Sequence, residues 1–283
     1  MDTLQIALLA FVQGLTEFLP ISSSGHLILT PLLFGYELQD LSFDIAVHLG
    51  TLLAVLTYFR RDLLAIGVGM AGSLAGGMVG NRLRRRALSP AAAADARLGW
   101  MVVLATLPIL VLGLPLKTLL DGLRQDDQLI ALVVASTTIG FGLLLWYADV
   151  RGRHRLDLHA INWAAALIIG CFQAIAIIPG TSRSGITITA GLFLGLTRQA
   201  ASRFSFLLSI PTISLAGLLA GRELLESAVP VDWHALWLGA LLSFVVAYLS
   251  IHLFLRFIER VSMLPFVLYR LLLGGLILFL LLM

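Results

Sequence analysis

Charge is what this chain has least of. Only 12% of its 283 residues are Asp, Glu, Lys or Arg, while 59% are hydrophobic. A soluble domain has about 25% charged and about 45–50% apolar residues, so an ordinary soluble enzyme is excluded and an all-α integral membrane protein is indicated. Cysteine is nearly absent too. The one copy, Cys171, lies in an apolar run, which rules out an intrachain disulfide and a thiolate metal centre. No stripe of aromatic and basic residues accompanies the net charge of +3, so no nucleic-acid partner is expected. The arginines in loops suit membrane lipids instead. The first apolar run carries Glu17 and no basic lead, so it reads as part of the mature fold rather than a cleaved leader.

What the chain does have is apolar sequence from end to end, read as a single polytopic domain over 1–283. A spanning helix needs about 20 apolar residues. Segments 42–60, 98–120, 128–148, 202–221, 235–256 and 264–283 meet that need. Two others do not: residues 4–35 are broken at Pro20 and Ser22–Gly25, and residues 160–198 at Pro179-Gly180 and Ser182–Gly185. Proline and glycine stop helices there. Both segments therefore read as re-entrant hairpins whose polar tips must be covered by protein or a watery cavity. Residues 63–81 hold six glycines in an apolar setting, and their weak helix propensity favours an interfacial or partly inserted segment.

The two broken segments repeat one another. Placing Gly25 on Gly185 sets Gln13 on Gln173, Ser22 on Ser182, Ser23 on Arg183 and Ser24 on Ser184. One position further along, Phe43 meets Phe204, Thr51 meets Thr212 and Arg61 meets Arg222. Repeat 1 covers about 1–150 and repeat 2 about 158–283, each a re-entrant helical hairpin plus three transmembrane helices. An odd number of spans makes the repeats inverted, with a site expected at their interface. Loops 36–41, 121–127 and 222–234 are acidic, whereas 60–97, 149–159 and 256–263 carry the arginines. Basic loops stay cytoplasmic. Both termini, and the opening of the first hairpin, are thus expected on the outward side of the membrane.

Chemistry concentrates at the two tips. Glu17 is taken as the one acid inside the apolar spans and hairpins, and an ionisable group at depth is a functional candidate. Gln13, four residues earlier, shares its helical face. Ser22, Ser23, Ser24 and Gly25 open a new half-helix whose free amides and hydroxyls suit an anion, although a serine cap alone explains them as well. Thr181, Ser182, Ser184 and Gly185 repeat the pattern, and Arg183 adds a guanidinium shaped for phosphate or for neutralising Glu17. His26 is a candidate acid or base. His48 ranks below it, and Arg270 reads as a buried contact at least as readily as a ligand. Ser23, activated by Glu17 or His26, is a candidate nucleophile; water activated by either group is the competing version.

Gly14-Leu15-Thr16-Glu17-Phe18-Leu19-Pro20, Ser22-Ser23-Ser24-Gly25-His26 and Pro179-Gly180-Thr181-Ser182-Arg183-Ser184-Gly185 resemble the two signature motifs of the undecaprenyl-diphosphate phosphatase family, the bacitracin-resistance type. Phe204–Leu208 and Pro265–Arg270 fit as well, so the likeness covers nearly the whole chain. It implies hydrolysis of a C55 polyprenyl diphosphate to the monophosphate and phosphate, recycling the carrier lipid for cell-wall synthesis. It also implies inner-membrane residence and a divalent cation, Mg2+ or Ca2+, at Glu17, with Gln13 as a second contact. That family has Glu or Gln at the position of Gln13, so a two-carboxylate cage is not expected here. A homodimer is compatible with this reading, and a polyprenyl-phosphate transporter or flippase is the main alternative. A second membrane phosphatase class shares Ser24-Gly25-His26 and Ser182-Arg183 in fragments but needs a histidine where this chain has Thr189.

Overall fold

The computed structural model describes residues 1–75, 89–121, 127–226 and 232–282. Eleven α-helices follow in chain order: α1 Thr3–Thr16, α2 Ser23–Phe34, α3 Leu41–Tyr58, α4 Arg60–Ala75, α5 Pro90–Asp121, α6 Asp127–Arg151, α7 Trp163–Ile175, α8 Arg183–Phe193, α9 Arg198–Glu226, α10 Trp233–Ile258 and α11 Leu264–Leu282. Among the described residues no strand forms, and a single bridge joins Leu156 to Leu196.

Among the described residues six helices are long and apolar enough to cross a membrane: Leu41–Tyr58, Pro90–Gly113, Gln128–Arg151, Arg198–Arg222, Trp233–Ile258 and Leu264–Leu281. They are the six segments expected from hydropathy. Their outward faces keep large apolar side chains exposed, Leu218 and Leu272 by more than 70%, as a lipid-facing surface requires. The chain is thus an all-α, multi-pass membrane protein.

The two broken segments form helical hairpins. Their limbs have 14 and 12 residues in α1 and α2, and 13 and 11 in α7 and α8. At 1.5 Å per residue each is about 16–21 Å long, short of the roughly 30 Å hydrocarbon core. Both second limbs start the same way. Ser22 and Ser182 stand just before α2 and α8 with φ of 76° and 69°, a left-handed conformation costing a non-glycine residue roughly 1–3 kcal/mol. Local bonds hold each turn: the Ser182 hydroxyl accepts from the Gly185 amide at 3.1 Å, and the Ser22 carbonyl accepts from His26 Nδ1 at 2.7 Å. Gly180 is required twice over, because its φ is +84° and a Cβ there would lie 2.5 Å from the Val134 carbonyl oxygen.

Packing is reciprocal. α1 lies against α10 and α7 against α5, while α3 packs on α9 at the centre and α6 on α11. Arg270 of α11 binds the assembly together. It is fully buried, and its guanidinium donates to Thr137 O and Thr138 O of α6, to Gly180 O and Thr181 O of the second tip, and to Pro20 O of the first, at 3.0–3.4 Å. At the far end buried Asp149 does similar work, accepting from Arg198 at 2.5 Å and from the Met263 amide at 2.9 Å.

The glycine-rich stretch differs in detail from its sequence reading. Over Arg60–Ala75 it is a regular helix of 16 residues, absent from the candidate spans. A Cβ on Gly69 would meet the Ala92 carbonyl oxygen at 2.5 Å, so that glycine lets α4 lie close along α5. Residues 76–81, the arginine run Arg82–Arg86 and parts of the acidic loops (122–126, 227–231) lie outside the described residues.

Candidate active site

Helix α1 ends at Thr16, and Glu17 caps it with its amide on Gln13 O at 3.0 Å. The carboxylate therefore emerges where the chain breaks toward the first tip. It is 8% exposed, and both its oxygens are engaged. Oε1 accepts from Arg183 Nη2 at 2.7 Å. Oε2 accepts from the Ser23 hydroxyl at 2.7 Å and from Gln13 Nε2 at 3.1 Å. Arg183, at the start of α8, also donates to Ser205 O at 3.3 Å, and its guanidinium lies over the Phe18 ring, 5.9 Å from the centroid. A carboxylate of one hairpin and a guanidinium of the other thus meet inside the apolar bundle, where each offsets the desolvation cost of its partner.

Beside this pair lies a cavity of about 420 Å³. Glu17, Ser22 and Ser23 line it from the first hairpin, and Ser182 and Arg183 from the second. The Ser22 hydroxyl is buried without a hydrogen-bond partner. A buried, unsatisfied hydroxyl on a polar cavity wall is matched to a ligand oxygen.

The remaining candidates divide. Ser184 donates to Leu19 O at 2.8 Å and so fastens the second tip to the first. The Gly185 amide is taken by Ser182. The Thr181 hydroxyl is buried and unpartnered, but Thr181 is not on the cavity wall. Gly25 sits in the first turn of α2, and the Ser24 side chain lies outside the described residues. His26 points away from the cavity: Nδ1 donates to the Ser22 carbonyl, which can only accept, leaving Nε2 to take the Tyr269 hydroxyl.

One sequence expectation is corrected. Glu17 is not the only acid at depth, because Asp44 stands in the first turn of α3, inside a span, and lines the same cavity. Its spacing with Leu41, Ile45 and His48, one helical stripe, was the available signal. His48, ranked below His26, is the imidazole nearer the carboxylate. Its Nε2 is 3.8 Å from Glu17 Oε2 and its Nδ1 donates to Asp44 O at 2.7 Å. Thr212 on α9 also joins the wall.

For a divalent cation the donors present are few. Among the described residues no group of three His, Cys, Asp or Glu is placed to hold a metal. Gln13 Oε1, however, is a buried acceptor without a partner, on the side chain already bonded to Glu17. That set fits a hard cation that arrives carried by phosphate oxygens and keeps several waters; it does not make a preformed protein cage.

Fold and site together define a polytopic membrane protein with a cavity lined by Glu17, Arg183 and serines of two helical hairpins. A family model described as "Bacitracin resistance protein BacA" matches residues 6–276, and this chain belongs to that family. It is 52% identical over 281 residues to "Undecaprenyl-diphosphatase 2" of Stutzerimonas stutzeri (strain A1501), covering 98% of each chain. It is 51% identical to "Undecaprenyl-diphosphatase" of Nitrosococcus oceani and 50% identical to "Undecaprenyl-diphosphatase 1" of Pseudoalteromonas translucida, with 99% coverage of each chain in both cases.

Proposed function

We propose that this protein hydrolyses undecaprenyl diphosphate to undecaprenyl phosphate and inorganic phosphate, returning the carrier lipid to cell-wall synthesis in a bacterial inner membrane. One observation carries the site assignment: the Ser23 hydroxyl donates to a Glu17 oxygen at 2.7 Å while Arg183 holds the other oxygen at 2.7 Å. Nucleophile, base and anion clamp converge on one cavity wall, as covalent phosphoryl transfer requires.

In this reading the diphosphate lies between the tips with its terminal phosphorus facing Ser23. Arg183 and the free Ser22 hydroxyl hold its oxygens; Ser182 and the amides of the first turn of α2 complete the cradle. Ser23 Oγ attacks phosphorus and passes its proton to Glu17. The Oγ–P bond forms as the bond to the bridging oxygen breaks, and the prenyl monophosphate leaves with the bonding pair. Water then attacks the phosphoserine as Glu17 returns its proton to Ser23 Oγ; the freed carboxylate takes a proton from that water, phosphate leaves, and Glu17 releases the proton to solvent before the next turnover. Gln13 keeps Glu17 oriented, and His26 supports the Ser22 turn from behind. Glu17 and the Gln13 amide oxygen would hold a Mg2+ or Ca2+ ion, which would supply charge neutralisation of the diphosphate.

The repeat alignment, the matched turns at Ser22 and Ser182 and the reciprocal packing of α1 on α10 and α7 on α5 support an inverted duplication. With the arginine-rich loops cytoplasmic, both termini and the cavity mouth face the periplasm. The test is phosphate release from undecaprenyl diphosphate by purified protein in detergent, with and without a chelator. Release that the chelator stops and Mg2+ or Ca2+ restores is expected. Binding without release would contradict a phosphatase and favour a lipid transporter, since detergent leaves no two sides to move between.

A further inference from the structure

The cavity has a polar floor and an apolar wall. From α3 the wall takes Leu41, Asp44, Ile45 and His48, and from α9 Thr212, Ile213, Ala216, Gly217 and Ala220. These spacings place each set on one stripe of its helix. On α3, Asp44 and His48 beside Glu17 are polar, and on α9 Thr212, bonded to Gln173 Oε1 at 3.3 Å, marks the polar end of an otherwise apolar stripe. Away from them, the α9 stripe is wholly apolar over the eight residues to Ala220, a rise of about 12 Å.

The small residues on that stripe are not explained by packing. A Cβ on Gly14 would lie 2.8 Å from the Ser243 carbonyl oxygen, and one on Gly69 2.5 Å from the Ala92 carbonyl oxygen. At Gly217 a Cβ meets nothing within 4 Å. A mid-helix glycine is unfavourable by roughly 1 kcal/mol relative to alanine, and no neighbouring helix accounts for it here. Gly217 borders the cavity that Ser22 also lines, and the Ser22 hydroxyl is buried and unpartnered. One void with a phosphate-matched floor and an apolar, recessed wall fits an amphiphile whose head is anionic and whose tail is hydrocarbon.

We propose that the α3–α9 wall seats the first isoprene units of the polyprenyl chain, and that Gly217 sets the width of that passage. The proposal rests on the prenyl-diphosphatase reading and adds to it the residues that recognise the chain. Its test uses purified full-length protein in detergent, the variants Gly217→Phe and Gly217→Ala, and dimethylallyl, farnesyl and undecaprenyl diphosphates, with dimethylallyl diphosphate scored as turnover or as an inhibition constant.

Gly217→Phe is expected to lower kcat/KM for the farnesyl and undecaprenyl substrates by at least about tenfold, mainly through KM, as for the loss of about two buried methylenes. Its value for dimethylallyl diphosphate, too short to reach the wall, stays within about twofold, which also shows the floor intact; Gly217→Ala, which adds one methyl, lowers the values for the two longer substrates in the same direction but by no more than about threefold. Equal losses on all three substrates would mean that the floor is obstructed, and no loss on any would mean that the chain leaves elsewhere; either result overturns the proposal. Failure of the unaltered protein to release phosphate from every substrate would overturn the phosphatase reading first and this inference with it.

Discussion

The two hairpin tips share a backbone and differ in chemistry. Each has a left-handed serine immediately before a helix, and each is tied by its carbonyls to Arg270. In the second tip the serine hydroxyls are committed to structure. Ser182 caps the Gly185 amide, Ser184 fastens Leu19 of the first tip, and the guanidinium of Arg183 reaches across to Glu17. In the first tip Ser22 has no partner and Ser23 is bonded to a carboxylate. On the proposed reading the two similar turns divide the work, the first tip reacting and the second holding.

The largest effects should come from the pair that joins the tips. Glu17→Ala and Arg183→Ala should each lower phosphate release by at least about a thousandfold, since one removes the base and the other the charge clamp. Both proteins should still insert and purify, and near-normal turnover in either would break the comparison. Arg183→Lys should recover little, because an ammonium cannot serve Glu17, Ser205 and a phosphate from one planar fork.

One serine from each tip then gives the sharpest contrast. Ser23→Ala should cost about a thousandfold in kcat with KM little changed, the signature of a group acting in the transition state. Ser184→Ala should keep activity within about tenfold and lower stability by about 1 kcal/mol, the value of one buried hydrogen bond, seen as a modest fall in Tm. Equal losses at the two serines would erase the distinction between the tips.

Arg270 serves both tips, so its removal should not discriminate between them. Arg270→Met leaves five carbonyls without their donor and should destabilise the protein by about 3 kcal/mol or more, readable as a large fall in Tm in detergent alongside lost turnover. The smallest effect belongs to the contact behind the first tip. Tyr269→Phe removes the hydroxyl bonded to His26 and should slow phosphate release about three- to tenfold by loosening the Ser22 turn, with Tm nearly unchanged.

Much of this was legible in the chain itself. Hydropathy located the six long helices because a bilayer demands apolar length, and Pro20, Pro179 and the serine runs marked both hairpin tips. The Glu17–Arg183 encounter could be anticipated because a buried carboxylate needs a cation and the repeat placed one opposite. Asp44 and His48 were harder to find. They lie on a helix whose hydropathy reads as a plain span, and only the way α3 turns toward the tips makes that stripe a cavity wall. His26 shows the reverse: its motif suggests chemistry, but the side chain is committed to Ser22 and Tyr269. Glycine-rich α4 is a weak helix by propensity, and tertiary packing against α5 supports the helix it forms.

The division of labour between the tips is tested most directly by mapping phosphate on the protein itself. Purified enzyme would be mixed with undecaprenyl diphosphate, quenched in acid within the first turnover and digested for mass spectrometry. The account predicts phosphoserine at Ser23, absent from the Arg183→Ala protein. Phosphate on Ser182 or Ser184 instead, or product formed with no phosphoserine at any time, would contradict it.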